Sequence, residues 1–498
     1  MISPELDDNL KRLEAVFADC DDLTLLPWSY GTDLNQRALA VYFTSMVKEK
    51  NFSYTKEILE GVVLQEAVDG ASIEPEHIIR FFEGQGVSEQ KGKVLHDFDQ
   101  TISQILEGCL VLFFDQWQGA VAYKTFGLQH RQVTEPINEP SVIGPREGTI
   151  ENLETNMGLL RSRLRNPLFK LKLVPTGKNC GNELFYGYLD GAVNPETLAE
   201  FERRLARAAE YDILEPSYLE ELIEDSTYSP FPQYRYSERP DVAIAALLDG
   251  KIIVMTQGSP SIMIGPSLFV EFFSTPEDFY QRTVHATLIR LLRIGAFIFA
   301  LTLPSIYIAF STFHPELLPT VLLLAILDTR EGIPFPAFIE AFVMEFFFEL
   351  LREAGIRLPK PVGSAVSIVG ALVIGQAAIQ ARIASPIMVI VVAATGIASF
   401  AIPQYNLAIT LRILRFPLMI CAATLGGFGL MIGFLLTLLH LTCLRSLGQP
   451  YLSALAPMDI WQLRDVFIRF PLKFLFRSPR NRHAHQRVSK WKQRSDAP

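Results

Sequence analysis

No GxxxxGK[ST] loop, no GxGxxG after a strand-like run, no GxSxG and no HExxH occurs in this chain. Those gaps leave P-loop, dinucleotide, nucleophile-elbow and zinc-protease chemistry without their usual residues. Gly177-Lys178-Asn179-Cys180-Gly181 has phosphate-loop composition without the spacing, and is expected to be a surface turn. The five cysteines, Cys20, Cys109, Cys180, Cys421 and Cys443, form neither a CxxC pair nor a Cys/His cluster of metal spacing. Reduced structural thiols are therefore expected, with no metal and no cofactor. Eight histidines are scattered, His483 and His485 among them in a basic tail. An enzyme is not expected. The N-terminal stretch, Met1 to Leu10, is acidic and polar and has no apolar core of a signal peptide, which predicts a cytoplasmic N-terminal region.

Charge is also scarce: 20% of residues are Asp, Glu, Lys or Arg, while 49% are hydrophobic. A typical soluble domain carries about a quarter charged residues. The deficit is local. Residues 1–285 read as ordinary soluble protein, whereas 286–457 hold long charge-free runs. At 498 residues the chain exceeds what one core organises, so several folding units are expected. The formal net charge of −9 hides a basic tail from Arg464 to Arg494 behind an acidic first half. Such a tail suits the anionic cytoplasmic face of a bilayer, or stands simply solvated. No folded basic surface accompanies it, so a nucleic-acid partner is not expected.

Four runs carry no charge: Ile294–Phe313, Pro361–Ala381, Ile383–Leu411 and Phe416–Leu444. Each reaches the length that crosses about 30 Å of hydrocarbon at 1.5 Å per residue. Four such helices have no shelter in a soluble protein of this size, which predicts an all-α polytopic membrane domain. Two more segments are ambiguous, Leu317–Leu327 being short and Phe335–Leu351 carrying Glu340, Glu345 and Glu349. Four or six spans both leave the termini on one side. Four spans place Arg352, Arg357 and Lys360 outside, against the positive-inside tendency.

Glu345 and Glu349 lie one turn apart and share a helix face, Glu340 points off it, and Arg352 is spaced to pair with Glu349. Carboxylates at membrane depth face an aqueous path or a partner, and one such helix per subunit makes a ring like those of cation pores. An amphipathic helix lying in the interface is the other reading. The run Gly363 to Ala378 is rich in Gly, Ala and Ser, including Ser367. Small residues let helices approach closely in lipid, or line a pore. Gln376 and Gln380 share a face expected to avoid lipid. The candidate ion path is thus Glu340, Glu345, Glu349, Ser367, Gln376 and Gln380.

The cytoplasmic part divides into 1–140 and 141–285 around the Pro-rich stretch at Pro136 and Pro140, ahead of the membrane domain at 286–457 and the tail at 458–498. Leu6, Leu10, Leu13 and Phe17 repeat at helical spacing, and Cys109–Phe114 with Ala120–Phe126 read as a hairpin. Glu151–Arg165 reads as a helix with Arg161, Arg163 and Arg165 near its end. Phe169–Val174 and Leu184–Leu189 read as paired strands, followed by a helix that opens at Asn194-Pro195. Val242–Leu248 and Ile252–Thr256 around Asp249-Gly250 read as a second hairpin. The fold class is α/β or α+β here.

Several blocks resemble the GerA family of spore germination proteins: GPREGTIENLETNMGLLRSRL (144–164), SPFPQYRYSERPDVAIAALLDGKI (229–252) and EFFSTPEDFYQR (271–282). Residues 314–355, 361–381 and LRSLGQPYLSALAPMD (444–459) resemble it as well, in order through both halves. The resemblance implies structural roles for Pro145, Arg146, Glu147, Gly148, Asn156, Arg161, Arg239, Pro240 and Asp241. It implies the A subunit of a nutrient germinant receptor in the spore inner membrane, oligomerising into a channel for monovalent cations. Its implied partners are a transporter-like B subunit and a lipoprotein C subunit. Ile143 stands where the family commonly has arginine before the GPREG block. An accessory member of the spore ion-release (SpoVA) system and a non-conducting assembly scaffold are the alternatives.

Overall fold

Alternation of side chains builds the first sheet. In β4 (Cys109–Phe114), Cys109, Val111 and Phe113 enter one apolar cluster while Leu110, Leu112 and Phe114 enter another. A strand covered on both faces needs an unbroken apolar run, and CLVLFF supplies it. The computed structural model describes residues 1–30, 35–47, 92–124, 136, 139, 143–453, 455 and 467–471, and omits the side chains of 360–362 and 364–369. The stretch proposed to divide the cytoplasmic part, Ser367 and His483 with His485 lie wholly or mostly outside that description.

Two compact units hold the described chain: Met1–Glu224 with Tyr236–Pro266, and Asp225–Arg235 with Ser267–Leu472. In the first, β1 (Leu23–Tyr30), β2 (Gln36–Phe43), β3 (Lys93–Leu95), β4 and β5 (Ala120–Lys124) form an antiparallel sheet ordered β1-β2-β4-β5-β3. The expected hairpin between β4 and β5 is present. Helices α1 (Leu6–Val16) and α2 (Phe98–Leu106) pack Leu6, Leu13, Ile102 and Ile105 on one face.

A second sheet runs β6 (Phe169–Thr176), β7 (Asn182–Leu189), β9 (Ile252–Thr256), β10 (Ile262–Gly265) and β8 (Arg235–Ser237). The β6–β7 pair is antiparallel and turns through the GKNCG segment, as expected. Asp212 holds that turn, accepting from the backbone N–H of Asn179 and Cys180 at 3.2 Å and from Asn179 Nδ2 at 2.8 Å. Helices α3 (Leu153–Arg163) and α4 (Pro195–Ala208) follow the sequence signals, with Asn152 and Asn194 accepting N–H bonds at their starts, and α5 (Pro216–Ile223) is a further helix that those signals did not include.

The second expected hairpin is wrong. Pro240–Leu248 is a helix, α6, not a strand. Pro240 occupies its first turn, where a missing N–H costs nothing, and three alanines favour helix. Gly250, at φ +78°, ends it: Lys251 N–H donates to Ala246 O and Gly250 N–H to Leu247 O, both at 3.0 Å. Asp-Gly was a helix stop rather than a hairpin turn.

The second unit is helical. After the short α7 (Glu277–Tyr280) come α8 (Thr283–Thr312), α9 (Thr320–Arg330), α10 (Ala337–Arg357), α11 (Lys360–Gln380), α12 (Pro386–Phe400) and α13 (Tyr405–Cys443), before a two-residue pair of strands. Among the described residues two helices, α8 and α13, are long and apolar enough to cross a membrane, against the four to six spans expected. The run Ile383–Leu411 is not one helix: α12 ends at Phe400, and α13 starts only after Pro403-Gln404. Proline has no N–H to continue a helix ladder, and it disfavours helix at the residue before it. Within α13, Gly426 (φ +62°) leaves the helical region, so its 39 residues are two helical pieces. The segment Ser229-Pro230-Phe231-Pro232 is bound by this unit. Thr410 Oγ1 donates to Pro230 O, Tyr451 OH donates to Pro232 O at 2.7 Å, and Ser229 Oγ lies 2.8 Å from His440 Nε2.

Candidate functional site

The acidic helix α10 is embedded. Glu340 is fully buried and Glu345 nearly so, and they share the buried side of α10 with Ala337, Ala341 and Met344. A carboxylate there needs a cation and hydrogen bonds to offset lost hydration. Each glutamate has found both on other elements. Glu340 Oε1 accepts from Arg330 Nε at 3.2 Å, and its Oε2 accepts from the Ser385 N–H at 2.9 Å. That second oxygen sits at the start of α12, where a negative charge suits the helix dipole.

Glu345 Oε2 accepts from Arg415 Nη1 at 2.5 Å, with both side chains 3% exposed. Glu349 takes Arg412 of α13 as its hydrogen-bond donor. Arg352, spaced to pair with Glu349, lies 4.0 Å from it and donates instead to Ser399 Oγ at 2.7 Å. Its guanidinium packs 4.7 Å from the Phe400 ring and 5.3 Å from the Phe348 ring. Helix α10 is thereby tied to α13 by two rungs that run antiparallel, 345 to 415 and 349 to 412.

Gln376 and Gln380 share an exposed face of α11, away from Gly375 and Ala378, which are buried. They are not brought together with the glutamates by any described hydrogen bond. Arg412 and Arg415 escaped the sequence reading. Their signal was present, as the two charges that separate the last charge-free runs, but no spacing rule links them to residues some seventy positions earlier.

Several motif residues of the first unit make buried or paired contacts within it. Arg161, 1% exposed, donates from Nε and Nη2 to Asp22 at 2.8 and 2.7 Å and from Nη1 to Phe169 O at 2.7 Å. Asn156 uses its amide on both backbone groups of Ile150. Glu147 pairs with Arg163, and Arg239 donates twice to Asp241 at 3.1 and 2.8 Å, with Pro240 opening α6. Pro145 is half-buried, Arg146 exposed and Gly148 buried. Cys20 and Cys109 are buried, and burial pushes the Cys109 thiol up to about 11, which suits an inert packing residue. Among the described residues no three His, Cys, Asp or Glu side chains gather as a metal site would need.

The family model described as Bacillus/Clostridium GerA spore germination protein matches residues 11–481. This chain belongs to the GerA family. Among GerA-family relatives in Bacillus subtilis (strain 168), "Spore germination protein KA" is 38% identical over 471 residues, 95% of this chain and 85% of its own. "Uncharacterized membrane protein YfkQ" of the same organism is 39% identical over 480 residues, 96% of this chain and 91% of its own. A crystal structure of the N-terminal domain of the A subunit of the Bacillus megaterium spore germinant receptor GerK3 aligns with 54% of this chain and 97% of that domain. The TM-score is 0.41 and the identity 21%.

Proposed function

We propose that this GerA-family chain is the A subunit of a nutrient germinant receptor in the spore inner membrane. Several copies assemble around a path for monovalent cations, together with a transporter-like B subunit and a lipoprotein C subunit. Nutrient binding opens that path, and cation release starts germination. The 286–457 region is the polytopic membrane domain, with α8 and α13 as spans and both termini on the cytoplasmic side. The observation that carries the reading is the family match, which runs from residue 11 to 481 through both units.

Glu345 and Glu349 are the groups proposed to bear on conduction, because they are the carboxylates of α10 that hold it to α13. The test is made in the spore former that carries the chain, in a strain where it is the sole A subunit. Deletion should abolish nutrient-triggered cation release, and Glu345→Gln with Glu349→Gln should change its rate by tenfold or so, about 1.4 kcal/mol on a barrier. Normal release from the deleted strain would sink the receptor reading, and normal release from the double variant would remove the glutamates from the path.

One observation favours a second reading, a non-conducting scaffold that couples a sensor to a separate channel. Glu340, Glu345 and Glu349 each have an arginine partner within this one chain, leaving none of the three free to face a lumen. The scaffold predicts no conductance from the purified chain in planar bilayers.

A further inference from the structure

We propose that Arg415 is a releasable latch across a proline hinge in α8. Pro304 lies inside that helix, and a proline offers no N–H to the carbonyl four residues before it, here Ala300. An unpaired carbonyl among apolar helices is costly, since no water replaces the missing donor. Arg415 of α13 supplies one: its Nε donates to Ala300 O at 2.9 Å. The same guanidinium donates through Nη1 to Glu345 of α10 at 2.5 Å. One side chain therefore stands in for the absent backbone donor and draws its charge balance from a third helix.

The junction is engaged by halves. Arg415 Nη2 and Glu345 Oε1 are buried without a hydrogen-bond partner among the described residues, and so is the hydroxyl of Ser305 beside the proline. Arg161 is the contrast within this protein, with two bonds to Asp22 and a third to a carbonyl. A bidentate pair fixes geometry, whereas a single-bonded pair with unused donors and acceptors exchanges partners at smaller cost. The latch is built like the second kind.

The two halves of α8 are also held differently. Arg290 and Arg293, before the hinge, both bond Asp278, at 3.0 and 2.9 Å. Beyond it, the side chains of Ile308 and Ala309 pack in an apolar cluster with Ala341, Met388 and Met419. Among the described residues no ion pair holds this half, and its one polar side-chain link to another helix is Tyr307 OH, 3.5 Å from Ser385 Oγ. Loss of the Glu345–Arg415 bond withdraws the cation's balance, frees Arg415 from Ala300, and lets residues 305–312 swing about Pro304. The hinge is a property of the helices and does not depend on what crosses the membrane.

The test uses full-length protein in lipid nanodiscs, with native cysteines replaced and spin labels at Thr312→Cys and Ile413→Cys, both exposed positions. The parent should give one distance peak. Glu345→Gln with Arg415→Met, which removes both charges together, should add a displaced second peak. Adding Pro304→Ala should erase that peak, because an alanine at that position returns an N–H to the Ala300 carbonyl. A double variant with the parent's single peak overturns the latch, as does a second peak that survives Pro304→Ala. Should the double variant fail to accumulate, recovery of folded protein with one peak on adding Pro304→Ala supports the latch. Failure to recover overturns it.

Discussion

At the residue scale, this chain's buried arginines are the least legible feature of its sequence and the most decisive in its structure. Arg161 sits near the end of α3, where a cation suits the helix dipole, and the local pattern says no more than that. Its real partner, Asp22, is 139 residues away and 0% exposed. Phe43 and Phe169 flank the guanidinium at 4.5 and 4.9 Å, so removing it deprives Asp22 of its cation in a dry site. Arg161→Met should therefore destabilise the protein by about 3–5 kcal/mol, the range for breaking one side of a buried pair. Adding Asp22→Asn should recover part of that loss, since no uncompensated charge remains. Thermal unfolding of the detergent-solubilised chain, followed by tryptophan fluorescence, reads both; equal stability of Arg161→Met and the parent would refute the role. The glutamates of α10 tell the same story. Spacing put Glu345 and Glu349 on one face with Glu340 off it, whereas Glu340 shares the buried side with Glu345 and Glu349 is 38% exposed. Arg330, Arg412 and Arg415 as partners were not readable at all, because ion pairs between helices leave no periodic trace.

At the element scale, the sequence was readable where one local rule acted alone. Short apolar, β-rich runs around a turn gave β4 and β5, and an Asn cap with proline gave α4, because each signal is complete within a few residues. Val242–Leu248 failed because a β-branched start and an Asp-Gly pair also satisfy a helix that begins at proline and stops at glycine. The stop is demanding: Gly250 has φ +78°, and a Cβ there would sit 2.3 Å from the carbonyl oxygen of Ala192. Gly250→Ala should cost more than the ~1 kcal/mol usual for an unobstructed left-handed site, as backbone must move. A fall of several degrees in melting temperature checks this, and a neutral or stabilising result would mean that α6 ends elsewhere. The apolar runs show the opposite limit. Absence of charge identified helix-forming, lipid-compatible stretches, but it carries no information on where Pro403 and Gly426 divide them.

At the scale of the whole molecule, the apolar surface decides between a membrane protein and a soluble one with long core helices. On α13, Phe428, Met431, Leu435 and Leu438 are 65%, 71%, 57% and 51% exposed. That is a continuous apolar stripe with no protein over it in the single chain, in a helix that also contributes Leu418, Met419 and Ala422 to the interior. Water penalises such a stripe and lipid does not. Two substitutions, Phe428→Lys and Leu435→Lys, separate the cases because they touch no buried contact. In a soluble protein they lower aggregation and leave folding intact. In a bilayer each lysine near mid-depth costs roughly 2.5–3.5 kcal/mol of insertion free energy, and two on one face add. The expected outcome is loss of the chain from the carbonate-washed membrane fraction, with the single Thr312→Lys change at the helix boundary of α8 tolerated because its ammonium reaches the interface. A double variant that stays in the membrane fraction at the parent's level would place that stripe against protein instead, either a second copy or another subunit.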